Sequence, residues 1–250
     1  MVMKLSRELL KTKLIATGVH LLMSIAVFIV LAYLIYYVWY PQPYYSVDGG
    51  WQGMRLVAAV DLVLGPLITF LIFNLNKSRR EIVFDLVIIL TIQFGALGYG
   101  VVTTYNQRPV SIVLIDRYIV PSTTGLYGDT LDSVSDLAEF SDEKPAIILS
   151  SLAGIEGALQ GFEIRNQTGI PEHAQIQWYR PAEELKPALE ALQAVFREIL
   201  ESKEAMDRFE AWLQQNGKTS DQVMIGFFNG RYDNAWLVFD SDARLIGYFL

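Results

Sequence analysis

Apolar residues run almost unbroken from Leu14 to about Tyr40, from about Met54 to Leu75 and from Ile82 to about Tyr105. At about 1.5 Å of helical rise per residue, each stretch is long enough for the roughly 30 Å hydrocarbon core of a bilayer. After Arg108 the pattern breaks into shorter pieces. Val110–Ile115 reads as a strand that can extend to Val120. Pro121–Lys144 is polar and acidic, so it reads as loop with a short helix near Ser135–Phe140. Ala146–Leu152 fits either a strand or a helix. From Pro187 the spacing is helical, with Leu185, Leu189, Leu192, Phe196 and Leu200 on one face. The stripe lapses at Ser202–Ala205 and resumes at Met206, Phe209 and Leu213, which predicts a kink or a second helix from about Ser202. Gly217 suits its C′ position. Gln222–Phe228, Ala235–Phe239 and Leu245–Leu250 form a predicted meander, with Asn229-Gly230 as a hairpin turn and Asp240-Ser241-Asp242 as the next connection. The fold class is therefore an integral membrane protein: three transmembrane α-helices (14–40, 54–75, 82–105), then an α+β domain of an N-terminal strand, central long helices and a C-terminal antiparallel meander. The domain boundary falls between residues 1–107 and 108–250.

Charge gives these spans a direction. Lys4, Arg7, Lys11 and Lys13 precede the first, and Lys77, Arg79 and Arg80 join the second to the third. The Pro41–Gly53 loop has no basic residue, although Arg55 lies just beyond it. By the positive-inside rule the N-terminus and the Lys77 turn are cytoplasmic, and everything after Arg108 lies on the far side. Tyr36, Tyr37, Trp39, Tyr40, Tyr44, Tyr45 and Trp51 read as an interfacial aromatic belt at the outer boundary. The first segment is too long for a signal-peptide core and ends in aromatic rather than small residues, so it reads as an uncleaved anchor. Residues 108–250 carry 12 Lys+Arg against 22 Asp+Glu, a net of −10. That part is a poor candidate for nucleic acid or anionic lipid, and solubility alone accounts for its charge. The 250 residues are 52% hydrophobic, and the absence of cysteine removes disulfides and thiolate metal sites.

Within the second span, Val60-Asp61-Leu62-Val63-Leu64-Gly65-Pro66-Leu67 places a carboxylate and a Gly-Pro pair in apolar surroundings. A charge in hydrocarbon costs a few kcal/mol or more, which makes Asp61 a functional candidate. It lies roughly 10 Å or more below the outer face if the span begins near Met54. Two accounts stand: a structural one, either pairing with Tyr, Thr or Gln93 of a neighbouring span or a protonated, uncharged acid, and a functional one, contact with a partner's helix. Arg55 is on another face and is no salt-bridge partner. Pro66 lacks an N–H and clashes with the carbonyl of Leu62, which predicts a kink. Small residues recur at Ala58, Ala59, Gly65, Gly95, Ala96, Gly98 and Gly100, and Ala96 and Gly100 have small-xxx-small spacing. They serve either packing among the spans or a groove for a partner helix. The candidate partner contacts are Asp61, Gly65, Pro66, Ala96 and Gly100. Asp85 lies four residues after Glu81, within reach of the basic turn, so Asp85, Lys77, Arg79 and Arg80 read as structural or topological.

Catalytic chemistry has little foothold. The two histidines, His20 and His173, belong to no ligand motif, and there is no nucleophile elbow, phosphate-binding loop or dinucleotide fingerprint. Neither a cofactor nor a metal is implied, and no enzyme is expected. The amphipathic helix after Pro187 mixes acidic with basic residues on its polar face, which suits covering a sheet better than lying on a membrane.

The same residues resemble a known family. Gly18-Val19-His20-Leu21-Leu22, Trp39-Tyr40-Pro41, Gly49-Gly50-Trp51, Val60–Leu67, Phe84-Asp85-Leu86 and the run from Tyr99-Gly100 to Arg108-Pro109 resemble, in order and spacing, the type IV pilin accessory proteins of the TfpX/TfpZ family. The likeness covers roughly the first 120 residues; beyond them only positions such as Trp178-Tyr179-Arg180-Pro181 are similar. It implies a protein of the bacterial inner membrane, with a cytoplasmic N-terminus and a periplasmic C-terminal domain. Such a protein acts as a chaperone or modulator of the major type IV pilin before or during pilus assembly. The lipid bilayer and the pilin are the implied partners, and no catalysis is implied. The alternatives are a periplasmic sensor or scaffold of another envelope system, marked by a deep apolar pocket, and a pilin- or glycan-modifying enzyme, marked by converging carboxylates.

Overall fold

A computed structural model describes residues 7–74, 77–152, 154–200 and 202–250. Lys4, Leu75 and Asn76, used above for the flank, the second span and the turn, lie outside the described residues. The chain forms two compact units: Met1–Gln42 with Gly50–Tyr105, and Pro43–Gly49 with Asn106–Leu250. The loop after the first apolar helix thus belongs to the second unit.

In the helical unit, α1 (Arg7–Tyr33) runs on as a π-helical turn over Leu34–Trp39. The next helix has three parts: α3 (Gly50–Ala58), a π-helical segment (Ala59–Leu64) and α4 (Gly65–Ile72), while α2 is the short Tyr44–Val47 turn of the other unit. The unit ends with α5 (Arg79–Asn106). Arg7–Trp39, Gly50–Ile72 and Arg79–Asn106 are each long and apolar enough to cross a membrane. Large apolar side chains turn outward, Leu22 being 69% and Phe94 66% exposed, while Ser24, Asp61, Thr69, Gln93 and Thr104 are buried. That is the reverse of a water-soluble bundle.

The kink predicted at Pro66 takes a specific form. The helix widens over Ala59–Leu64, where the Gly65 N–H donates to the Val60 carbonyl. Pro66 then falls in the first turn of α4, directly after the widened segment. Two residues assigned to an aromatic belt are instead packing residues. Tyr40 is 1% exposed and donates to the Thr104 carbonyl at 3.0 Å. Tyr44 is 2% exposed and meets Phe228 edge-on, at 5.5 Å between ring centres. Each tyrosine has an interior in its own unit to fill, so neither is free to float at an interface.

The second unit is built on one six-stranded sheet, in the spatial order β3 (Ala146–Ser150), β1 (Ser111–Ile115), β2 (Tyr118–Ser122), β4 (Met224–Asn229), β5 (Asn234–Phe239) and β6 (Leu245–Phe249). The single strand expected to reach Val120 folds back at Asp116, giving a hairpin of β1 and β2. Asp116 has φ 57°, a left-handed conformation that Asp tolerates better than most residues. Ala146–Ser150 is a strand, β3, parallel to β1. β4, β5 and β6 make the meander. The Asn229-Gly230 signal marks the β4–β5 turn, but the turn is longer than two residues, because Asn229 pairs with Asn234. Gly230 serves close approach instead: a Cβ there would lie 2.6 Å from the carbonyl oxygens of Val47 and Asp233.

Among the described residues three α-helices lie between β3 and β4. α6 (Gly154–Thr168) is not among the elements expected from the sequence. The helix expected from Pro187 is α7 (Leu185–Ile199), and a separate α8 (Lys203–Asn216) starts on a Ser202 N-cap and stops at Gly217, φ 60°. α7 packs on the sheet. β2 and β4 pair only at Ile119–Phe228, and Gln193 of α7 fills the gap they leave, bonding both the N–H and the carbonyl of Ile225 at 2.9 Å. On the β1–β3 side, Val113 and Ile148 pack with Tyr127, Leu137, Ala174 and Tyr179. Buried hydroxyls link Ser111 to Tyr127 at 2.6 Å and Tyr127 to Tyr179 at 2.8 Å.

Candidate functional site

Polar residues one helical turn apart gather inside the helical unit. His20 and Ser24 are four apart on α1, and Asp61, Gly65 and Thr69 continue at four-residue spacing along the second helix. The Gln93 amide of α5 lies flat on Gly65, where a Cβ would be 2.5 Å from Oε1. Gln93 Nε2 donates to Asp61 Oδ1 at 2.9 Å and approaches Ser24 Oγ at 3.4 Å. His20 Nδ1 and Thr69 Oγ1 are 2.5 Å apart. Gly65 is thus required for space, and the π-helical segment carries Asp61 inward to 2% exposure.

This cluster has acceptors left over. Among the described residues, Asp61 Oδ2 and Gln93 Oε1 are buried without a hydrogen-bond partner. Each such group costs roughly 1–3 kcal/mol. His20, Ser24, Thr69 and Gln93 line a groove of about 490 Å³, whose other walls include Val19 and Met23 of α1 and Leu90 and Phe94 of α5. Of the small residues, Gly65 admits the amide, while Gly100 is buried and a Cβ on it would lie 3.5 Å from Leu56. Ala96 is half-buried. Gly95 and Gly98 face open space.

The basic residues do more than mark a side. Lys13 Nζ donates to the carbonyls of Phe70 and Leu71 at 2.9 and 3.0 Å, capping the C-terminal end of α4. Lys77 Nζ lies 2.5 Å from Asp85 Oδ2. Arg79 and Arg80 are exposed at the start of α5.

Two further features of the sheet unit were not legible beforehand. The Asp48 carboxylate, wholly buried, takes Arg231 Nε and the Arg231 backbone N–H on Oδ1 and Arg231 Nη2 on Oδ2, all at 3.2 Å. Arg231 also holds the Gln107 side chain and carbonyl, and the Val47 carbonyl receives the N–H groups of Tyr232 and Asp233. The second feature is a cleft of about 740 Å³ at the carboxyl ends of β1 and β3, with Asp116, Glu172, His173 and Glu184 in its lining. Glu172 pairs with Arg165 at 3.3 Å. Among the described residues no hydrogen bond joins two of these carboxylates, and no cluster of three or more histidine or acidic side chains is placed to hold a metal ion. Burial lowers the His173 pKa below its ordinary 6.5, against the opposing pull of Glu172.

Residues 8–49 match the family described as fimbrial assembly protein FimB. Three proteins of Dichelobacter nodosus are similar. The fimbrial assembly protein of serogroup I is 30% identical over 224 residues, covering 82% of this chain and 79% of that protein. The serogroup E1 protein is 34% identical over 161 residues, 59% of this chain and 62% of its own length. The protein of serogroups C1 and C2 is 39% identical over 97 residues, 39% of this chain and 74% of its own length. No solved structure matches the chain. A likeness that runs through both units, over four-fifths of the chain, places this protein in the FimB family of fimbrial assembly proteins, the accessory proteins of type IV pili.

Proposed function

We propose that this protein is an inner-membrane accessory protein of the major type IV pilin, a chaperone or modulator that engages pilin before or during pilus assembly. The observation that carries the reading is the groove between α1 and α5. Its walls are mostly apolar, Gln93 lines it, and Gln93 with Asp61 bonded to it keeps two buried acceptors with no donor among the described residues. In lipid such acceptors are supplied by protein. A helix carrying a hydrogen-bond donor fits that demand, and a pilin awaiting assembly has a hydrophobic helix in the inner membrane and a globular head in the periplasm. The charge flanks support a periplasmic sheet unit, on the side of the pilin head. No step of this work requires a catalytic group.

The test is co-purification of pilin with the full-length protein from detergent. Asp61→Asn and Gln93→Leu are each expected to weaken recovery of pilin while leaving the abundance of the protein intact. Unchanged recovery in both variants would sink the reading. A fall in abundance instead makes Asp61 a purely structural residue.

A further inference from the structure

α6 is packed with its small residues inward and its large apolar residues outward. Gly157 and Gly161, one turn apart, are its buried positions. A Cβ on Gly161 would lie 3.2 Å from Leu152, and the Gly161 carbonyl accepts Gln175 Nε2 at 2.8 Å. Ile155, Leu159 and Phe162 fall at i, i+4 and i+7 and are 83%, 65% and 50% exposed. A helix that only covers a sheet turns such residues the other way.

Phe162 also lines the cleft at the carboxyl ends of β1 and β3, with Ile115, Leu149 and Leu192 as further apolar walls. Ser150 Oγ, in the same lining, is buried with no partner among the described residues. Asp116 and Glu184 line it too and make no ion pair among the described residues. At its carboxyl end, beside the cleft, the outer edge of β3 is already taken, since Ser151 N donates to the Trp178 carbonyl and Arg180 N to the Leu149 carbonyl. A partner therefore docks here by its side chains and not as an added strand. The chain itself shows how a basic group is held: the Arg165 guanidinium lies 5.3 Å from the Phe162 ring centre and pairs with Glu172.

From this arrangement we infer that the α6 stripe and the adjoining cleft are the docking surface for an apolar segment flanked by lysine or arginine in the exported part of the pilin. The inference rests on the pilin reading above and adds the surface and the chemistry it selects. Charge distinguishes this occupant from a bilayer. Glu156 and Glu163 lie on α6 itself and residues 108–250 carry a net of −10, which repels anionic lipid and attracts a basic segment.

The test places a benzophenone amino acid at Leu159, or at Met23 in the helical groove, of the full-length protein in piliated cells. Both positions are expected to capture pilin. Glu184→Lys combined with Asp116→Asn is expected to lower the Leu159 adduct at least about fivefold, as loss of charge complementarity should. The Met23 adduct and the melting temperature should not change. Ile155→Asp, at a position with no packing to lose, should lower the Leu159 adduct similarly. Capture at Met23 without capture at Leu159 overturns this inference and leaves the pilin reading standing. A lipid adduct at Leu159, or a pilin adduct indifferent to both sets of variants, also overturns it. Capture at neither position overturns the pilin reading, and this inference falls with it.

Discussion

Asp48 is a carboxylate with no access to water, and Arg231 is the group that compensates it. The two ends of this pair are not equivalent. Arg231→Ala leaves a buried charge alone, at a cost of roughly 3–5 kcal/mol. Asp48→Ala leaves a guanidinium whose side chain is 32% exposed and still reaches solvent and Gln107, so its cost should stay below about 2 kcal/mol. Thermal unfolding of the full-length variants, read by circular dichroism, checks that order. His173 supplies a pH dependence. Its folded pKa lies below 6.5, so its contribution is present above pH 6.5 and is lost as pH falls toward the folded value. Asp48 acts in the opposite sense, because burial holds its carboxyl above the ordinary 3.8 against the pull of Arg231. The unfolding midpoint of His173→Gln should therefore fall less on acidification below pH 6.5 than that of the unaltered protein.

Several elements owe their form to one neighbour each. On its β2 side β4 lacks a strand partner along most of its length, and the amide of Gln193 bonds both backbone groups of Ile225 there. Gln193→Leu leaves two buried polar groups unpaired and should cost roughly 2 kcal/mol or more, measured as a drop in melting temperature. The second apolar helix owes its course to Gly65. Gly65→Val puts branched carbons where the Gln93 amide lies, which should destabilise the bundle by about 1–3 kcal/mol and release Gln93 from Asp61. Thermal unfolding in detergent reads the first effect and loss of pilin recovery the second. α7, α8 and the meander were legible in the chain because their periodicities of 3.6 and 2 are local properties. α6 was not, because Gly154, Gly157 and Gly161 weaken its helix propensity, and that its stripe of Ile155, Leu159 and Phe162 faces outward is decided only by packing.

For the protein as a whole, three apolar helices and a sheet unit suit a partner that is itself part membrane helix and part soluble head. Deleting the gene should lower the pilin level or surface piliation, read by immunoblot and electron microscopy. Normal values of both, in a strain without a substitute protein, would count against the assembly role. The family likeness runs through both units, so a truncation after residue 107 should not restore piliation even where it accumulates in the membrane.

Hydrophobic run length and charge flanks specified the three long helices, and polar residues inside apolar runs pointed to Asp61 and to Gln93 as a partner for it. These are properties of consecutive residues, and solvent selects on them directly. The membership of Pro43–Gly49 in the sheet unit is of another kind. It rests on Asp48 meeting Arg231 across 183 positions and on Gly230 admitting the Val47 carbonyl. No local pattern encodes such a meeting. The same holds for the groove with its unpaired acceptors and for the outward stripe of α6, which exist only once distant segments have packed and left particular faces without a neighbour.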